Sequence, residues 1–356
     1  MQPKRFACFS FQALHSLLAV WFLTAYGADA AEFRRVIEEV GYVRVGASAN
    51  NVYVVGPITN ALIIDGHWDS SVKETIAALG NAGVKPGHVR AVMITHAHDD
   101  HFGGAGAIAK WSRAPIWAHV ATATEVEDPW GGFARPGSVF PNTTMADWTN
   151  YHAKAGDPSR VERMLREGDV IGHEGLKLEV LHIPGHDRSA IGFYERKRGW
   201  FFSGDLAQKG GPGWLGLFTD VSSQRRSLAR IRDLKPEWYF AGHGEPLMGP
   251  AKIESELNAA LSWLDTLEKS ALEILREKSP RTTIEMTRAT WSKVYQKAGI
   301  SSANAREARE PREYSIVSVN AVLLDLSRRG IIKRTRDLEW ELTNPTAQPP
   351  GQNPSP

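Results

Sequence analysis

Cysteine is nearly absent from this chain: among 356 residues the single one is Cys8. One cysteine cannot form an intramolecular disulfide, and Cys8 lies in an N-terminal segment that we expect to be removed. The mature protein would then contain no thiol. This excludes thiol catalysis and metal sites with sulfur ligands, because both need a cysteine in the folded chain.

The N-terminal apolar run is too short for a membrane-spanning helix. It is densest at Leu17–Tyr26 and is interrupted by polar residues on its N-terminal side, whereas a spanning helix needs roughly 20 apolar residues. Lys4 and Arg5 precede the run, and Ala28-Asp29-Ala30 after it matches a small-residue cleavage site. This pattern favours a signal peptide at residues 1–30 over a membrane anchor. We therefore expect a periplasmic or secreted protein without stable membrane insertion after cleavage.

An excess of charge of either sign is also lacking, with 42 Lys and Arg against 40 Asp and Glu. This balance argues neither for nor against a nucleic-acid partner. The hydrophobic and charged fractions are ordinary for a soluble globular protein. The length of the chain allows a complete core plus a second, smaller module.

Histidine, in contrast, is concentrated: three of the twelve histidines fall in the stretch His96–His101. The apolar run at 90–95 indicates a buried strand, so the cluster lies at a strand's C-terminal end, where α/β folds place their chemistry. His96 and His98 would point to the same side of an extended segment, while Asp100 and His101 follow where the chain turns and would face a second ion. Imidazole and carboxylate suit zinc in a hydrolytic site. The alternative, a solvated polar loop, rarely gathers so many histidines.

The stretch Thr95–Gly104 resembles the signature of the metallo-β-lactamase-fold hydrolases. Four further elements of that family stand in the right order along the chain: an aspartate after an early strand, a histidine in a Pro-Gly-His turn, an aspartate after a later strand and a histidine in a Gly-His turn. These are Asp65, His186, Asp205 and His243. The resemblance is to the glyoxalase II-like and β-lactamase-like protein 2-like branch, and it covers roughly residues 35–250.

The fold class that the pattern alone supports is α/β with much antiparallel sheet. Short β-rich runs lie at 41–65 and 176–203, and helical patterns lie at Val72–Gly80 and Gln224–Leu234. The resemblance implies more, an αββα metallo-β-lactamase sandwich. Two poorly patterned stretches interrupt it, residues 125–165 and 208–218. We expect the second to border the pocket, whereas the first is either functional or a surface insertion.

Past Pro250 the pattern becomes helical and ends in two short strands after Gly330. This outline resembles the winged-helix-like C-terminal module of β-lactamase-like protein 2 relatives. We expect four regions: a signal peptide at 1–30, a catalytic domain at 31–250, a smaller helical, winged-helix-like domain at 251–343 and a disordered tail at 344–356.

The resemblance implies seven zinc ligands. One ion would be held by His96, His98 and His186, the other by Asp100, His101 and His243, with Asp205 bridging both; manganese or iron are alternative metals. A hydroxide shared by the two ions would attack the substrate. Asp100 would be the catalytic residue that guides it and passes a proton to the leaving group. Asp65 would fix the loop of His96 and His98.

Asp205 narrows the expected function, because the zinc β-lactamases mostly lack a bridging aspartate at this point. Glyoxalase II-like thioesterases, lactonases and phosphodiesterases of the family have it. We therefore expect a dinuclear zinc hydrolase of a small ester, thioester or lactone. The alternatives are a phosphodiesterase or ribonuclease and, less favoured, a β-lactamase. A non-catalytic binding or redox protein is a third possibility, which the complete ligand set disfavours.

Basic residues gather at 328–336, near the end of the chain. A nucleic-acid surface is one interpretation. The other is a solvated edge that discourages pairing between sheets. Because an exported protein meets little nucleic acid, we expect a small-molecule substrate and no nucleic-acid partner.

Overall fold

The computed structural model describes residues 31–46, 50–129, 131, 153–207, 218–297 and 313–344. The signal peptide expected at 1–30 lies outside these residues, as do most of the 125–165 and 208–218 stretches and nearly all of the tail. The expectations for those segments stay predictions. None of the described helices is long and apolar enough to cross a membrane.

The first layer of the described fold is a seven-stranded sheet in the order β1 to β7. Its strands are β1 (Glu32–Ile37), β2 (Val40–Arg44), β3 (Val52–Val55), β4 (Ala61–Ile64), β5 (Val89–Ile94), β6 (Ile116–His119) and β7 (Arg163–Leu165). The first four pair antiparallel, and β4 to β7 pair parallel. The central strands β3 and β4 are buried throughout, as their unbroken apolar sequences indicate for strands covered on both faces.

The second layer is a six-stranded sheet in the order β13-β12-β11-β10-β9-β8. Its strands are β8 (Val170–His173), β9 (Leu176–His182), β10 (Ile191–Glu195), β11 (Trp200–Gly204), β12 (Trp238–Ala241) and β13 (Leu247–Met248). Only the β11–β12 pair of this sheet is parallel. The two sheets pack face to face over a core that includes Tyr42, Leu62, Met93, Phe202 and Phe240.

Helices cover the outer face of each sheet. On the first sheet lie α1 (Val72–Asn81), α2 (Asp99–Phe102), α3 (Ala105–Ser112) and α4 (Val120–Glu127); on the second lie α5 (Val221–Leu234) and α6 (Pro250–Glu277). Apolar side chains of α1, α3 and α4 pack on β3 to β5, and those of α5 and α6 pack on β11 and β12. The layers therefore run helix, sheet, sheet, helix, which confirms the αββα sandwich.

The C-terminal region is helical, as expected. After α6 come α7 (Thr283–Lys297), α8 (Glu313–Arg328) and a ribbon of β14 (Ile332–Arg334) and β15 (Trp340–Leu342). Trp291, Leu323 and Trp340 belong to the same buried cluster as the side chains beneath α5. The C-terminal helices thus share one core with the second sheet. The boundary at 250/251 and the winged-helix geometry stay predictions.

Candidate metal centre

Four of the expected ligands are brought to one edge of the first sheet by the end of β5. His96 and His98 follow the strand directly, and the short helix α2 carries Asp100 and His101. The turn into α2 is closed by the His101 N–H, which donates to the His98 carbonyl at 2.9 Å. The local sequence therefore folds the four side chains toward one point.

The other three ligands come from the second sheet, each just after a strand. His186 follows β9, Asp205 follows β11 and His243 follows β12. Backbone hydrogen bonds join the two sheets at this edge: the Ile191 N–H donates to the Thr95 carbonyl at 2.9 Å. The structure thus brings together all seven side chains that the sequence motifs singled out.

The first triad consists of His96, His98 and His186. The Nδ1 atom of His98 lies 3.0 Å from Nε2 of His96 and 2.9 Å from Nε2 of His186. One ligand atom from each residue lies within 4.8 Å of the others. Three imidazole nitrogens at this spacing can share one ion.

The second triad consists of Asp100, His101 and His243. Oδ2 of Asp100 lies 3.1 Å from Nε2 of His243 and 3.7 Å from Nε2 of His101. Asp205 lies between the two triads. Its Oδ1 is 3.3 Å from His101 Nε2, and its Oδ2 is 3.4 Å from His243 Nε2 and 3.6 Å from His186 Nε2.

Nε2 of His101 and Oδ1 of Asp205 are buried and lie 3.3 Å apart, but neither forms a well-directed hydrogen bond with a described residue. Leaving such atoms unpaired in a protein interior is costly, and a bound ion would satisfy both of them. Both atoms face the centre of the cluster, where the other donors are imidazoles and a carboxylate. The residues therefore fit a divalent metal centre.

Opposing charges set the protonation of the metal-free cluster. Burial lowers the pKa of His101 and His243, but the neighbouring carboxylates of Asp205 and Asp100 outweigh it. They raise the pKa of His101 well above its usual range and that of His243 to about 10. Burial likewise raises the pKa of Asp100, yet His101 and His243 together bring it down to about 2. Metal binding would displace the two imidazolium protons.

The pKa of His96 shifts in the opposite direction to those of His101 and His243. Burial lowers its pKa well below the usual range, and the charges of His101, His98 and His186 add to this effect. A neutral imidazole is the form that binds metal. His96 is therefore ready to bind without first losing a proton.

Asp65 lies beneath the cluster and contacts both the start of the ligand loop and a ligand, His101. Its Oδ1 accepts from the Thr95 N–H at 2.8 Å, and its Oδ2 lies 2.8 Å from Nδ1 of His101. It reaches His96 only indirectly, through the Thr95 hydroxyl 3.0 Å from His96 Nδ1. Asp65 thus orients His101 directly and holds the start of the loop of His96 and His98 through Thr95.

The sequence motifs did not reveal the residues that hydrogen-bond to the backbone next to the metal ligands. Asn51 and Arg44 bond to the turn of His243, and Gln224 bonds to the chain beside Asp205. None of them has the residue type or the spacing of a metal ligand. An asparagine and a glutamine buried at the edge of an active site can be recognised only once the fold is known.

The match of residues 45–243 to the metallo-β-lactamase superfamily assigns the fold and the site to a family. The chain belongs to this superfamily, which confirms the resemblance that the motifs carried. Among solved structures, a metallo-β-lactamase family protein from Thermus thermophilus has a TM-score of 0.65 at 18% identity, covering 88% of this chain and 97% of that one. This likeness shows a shared fold.

The relatives that are similar at the level of sequence include the following three. A β-lactamase-like protein 2 homolog of Drosophila melanogaster is 26% identical over 211 residues, 58% of this chain and 63% of that protein. The acyl-coenzyme A thioesterase MBLAC2 of Gallus gallus is 28% identical over 193 residues, 52% of this chain and 67% of that protein. A hydroxyacylglutathione hydrolase of Aeromonas hydrophila is 27% identical over 187 residues, 52% of this chain and 58% of that protein.

The matched segment spans less than two thirds of the length of the Drosophila and Aeromonas proteins. Of these three, the two whose names state an activity are a thioesterase and a hydrolase. These names support the expectation that the chain is a hydrolase.

Proposed function

We propose that the chain is a hydrolase with two divalent metal ions, zinc being the expected metal, and that it cleaves a small thioester, ester or lactone. One observation carries this proposal: seven His and Asp side chains from both sheets converge on one point, with Asp205 between two triads. Among the three bond types we favour the thioester, because two similar relatives are named for acyl-coenzyme A and hydroxyacylglutathione, both thioesters.

The ions, when bound, would lower the pKa of water toward about 7 and so supply hydroxide at neutral pH. Asp100 is the ligand carboxylate on the more open side of the cluster, with 17% of its side chain exposed against 6% for Asp205. Its ionised carboxylate can accept a proton from water and return it to the leaving group. Asp205 is enclosed and serves to hold the two triads together.

Phosphodiester cleavage finds less support in the C-terminal ribbon. Arg328 is paired with Asp220 at 2.7 Å, Arg329 with Glu268 at 2.6 Å, and Lys333 with Glu341 at 3.2 Å. Cations already paired with acidic side chains present less positive potential to a polyanion. These contacts favour the solvated-edge interpretation of the basic residues.

The test combines metal content with a substrate panel. Protein purified without added metal is analysed for bound ions and assayed on acyl-coenzyme A, acylglutathione, lactone, β-lactam and phosphodiester substrates. We expect two ions per chain and the highest kcat/KM on a thioester. Asp205→Asn should lose metal and lower kcat by several orders of magnitude. Glu195→Gln, which alters a buried carboxylate at the far end of β10, serves as the control. A protein that binds no metal even after incubation with zinc refutes the proposal.

We also propose that the protein is exported after removal of about 30 N-terminal residues. The motivation is the basic start at Lys4 and Arg5, the short apolar run and the small-residue site at Ala28-Asp29-Ala30. N-terminal sequencing of the protein from its native host is the test. An intact Met1 in the cytoplasmic fraction would contradict export.

A further inference from the structure

We propose that Asn51 is a positioning residue for the metal centre: its buried side chain holds His243 in place across the gap between the two sheets. The inference rests on the proposed metal-dependent function, which it extends to a residue that is not a ligand. Asn51 immediately precedes β3 in the first sheet, whereas His243 follows β12 in the second. Its side chain is fully buried.

Asn51 grips the chain on both sides of His243. Its backbone N–H donates to the Gly242 carbonyl at 2.6 Å, and its side-chain amide donates to the carbonyls of Ala241 at 3.0 Å and Gly244 at 2.8 Å. The backbone carbonyls of three residues around His243 therefore point at one asparagine. The side-chain amide shares two of these carbonyls with other donors, because the Tyr53 hydroxyl also donates to the Ala241 carbonyl and Arg44 also donates to the Gly244 carbonyl.

The amide itself is locked by its neighbours. Nε of Arg44 donates to Oδ1 of Asn51 at 2.9 Å, which fixes the amide with its NH₂ group toward the turn. Arg44 is anchored in turn by Glu245 at 2.8 Å, and Glu245 accepts from the Tyr42 hydroxyl at 2.8 Å. The side chains of Asn51, Arg44, Glu245 and Tyr42, here called the clamp, therefore form a connected hydrogen-bond network with a defined orientation.

The His243 turn needs outside support because glycines surround it. Gly244 has a positive φ of 79°, and a Cβ atom at Gly242 would lie 2.2 Å from Oδ1 of Asp205. Neither position can take a bulkier residue that would stiffen the turn. Asn51 thus does for His243 what Asp65 does for His101: it fixes the orientation of a ligand from outside the metal centre.

The decisive variant is Asn51→Asp. Aspartate has nearly the same shape and still accepts from Arg44, but it lacks the NH₂ donor and turns a carboxylate oxygen toward two carbonyls. We expect the ion held by Asp100, His101 and His243 to bind about 10- to 100-fold more weakly. The ion held by His96, His98 and His186 should keep its affinity. The measurement is titration of the metal-free protein with zinc against a chromophoric chelator, repeated with cobalt to follow the two sites by visible absorption.

The matched control is Glu195→Gln, a near-isosteric change at a buried side chain at the far end of β10, where the carboxylate accepts from the Arg198 N–H at 2.6 Å. It should leave both affinities unchanged even if it lowers stability. Two tight ions in Asn51→Asp, as in the wild type, would overturn the role of Asn51. A wild type that binds no metal would instead overturn the proposed function, so the two failures are distinct.

Should Asn51→Asp not fold, Arg44→Lys takes its place. Lysine keeps a positive charge near Glu245, but it lacks the two separate nitrogens with which Arg44 donates to Asn51 and to the Gly244 carbonyl. We expect the affinity for the ion held by Asp100, His101 and His243 to fall, but by less than in Asn51→Asp. Unchanged affinities at both sites in folded Arg44→Lys would refute the clamp.

Discussion

Hydrogen-bond partners separate two kinds of buried histidine in this protein. His96 and His101 face other imidazoles and carboxylates at the cluster. His67 is equally buried but lies apart: its Nδ1 is 2.6 Å from the Thr75 hydroxyl, and its Nε2 is 2.6 Å from the Asn50 carbonyl. Burial lowers the pKa of His67 to about 4, more than its hydrogen bond to Asn50 raises it. This histidine is therefore a neutral structural residue.

The neutral state of His67 predicts a loss of stability in acid. In the unfolded chain the pKa of His67 returns to about 6.5. Between pH 6.5 and 4 the imidazole is therefore protonated in the unfolded state but neutral in the folded state. The unfolding free energy should fall across this window, by up to about 3 kcal/mol from this residue. His67→Asn removes the titrating group, and asparagine tolerates the positive φ of 61°.

The measurement is chemical unfolding of the wild type and His67→Asn from pH 4 to 7. Both proteins share the metal ligands, so any titration of the cluster is common to both. The wild type should lose more stability than the variant as the pH falls. Parallel curves would show that His67 does not contribute.

At the scale of elements, α5 holds two ligand turns at once. The N–H groups of Thr219 and Asp220, just before α5, donate to the Gly185 carbonyl at 2.7 and 3.1 Å. Within the helix, the Gln224 amide donates to the Leu206 carbonyl at 2.6 Å, next to Asp205. The N-terminus of α5 therefore sets the positions of both His186 and Asp205.

The contact between Gly185 and α5 allows no side chain at this position. A Cβ atom on Gly185 would lie 2.4 Å from Cα of Gln224, and its φ of 144° is one that side-chain-bearing residues rarely adopt. Gly185→Ala should therefore displace His186 and weaken metal binding at the first triad by at least about tenfold. Gly172→Ala in β8, where nothing lies within 4 Å, is the matched control. Equal metal affinity in both variants would contradict this role of α5.

The elements that the sequence predicted share strong local signals. The buried apolar run at β5 and the amphipathic helix α1 lie within a residue or two of the expected bounds, and β4 and β9 fall inside the expected β-rich runs. The sequence did not predict β7, which has three residues and an exposed Met164. It also missed α4, whose valines and threonines have low helix propensity. In α4 the packing of Val126 and Ala123 on the first sheet outweighs that propensity.

The ligands could be predicted because short motifs hold them. Their supporting residues could not, because such residues act through backbone atoms far along the chain. Asn51 and the Ala241 carbonyl, for example, are 190 positions apart. Every residue has a backbone carbonyl, so a hydrogen bond to one requires no particular residue type at the acceptor. These contacts can therefore be seen only in the folded structure.

At the scale of the whole molecule, the charges of the C-terminal ribbon bear on the type of substrate. Replacing Lys333, Arg334 and Arg336 together by glutamine should leave kcat/KM on a small thioester within about twofold of the wild-type value, because exposed charges contribute little beyond their immediate contacts. The salt dependence of kcat/KM should also be unchanged. A large drop confined to phosphodiester substrates would instead favour phosphodiester cleavage.

The metal centre also joins the two layers of the molecule, since Asp100 and His101 come from the first sheet and His186, Asp205 and His243 from the second. Ions that bind only the folded state stabilise it, by about 4 kcal/mol when present at 1,000 times their Kd. Removing them with a chelator should lower Tm by on the order of 10 °C, and zinc should restore it. Asp205→Asn, which lacks the carboxylate between the two triads and should bind metal more weakly, should show a smaller change of Tm with chelator than the wild type. If the wild type loses all its metal and its Tm does not change, the ions contribute nothing to holding the sheets together, and the seven side chains must be held in place by the surrounding hydrogen bonds alone.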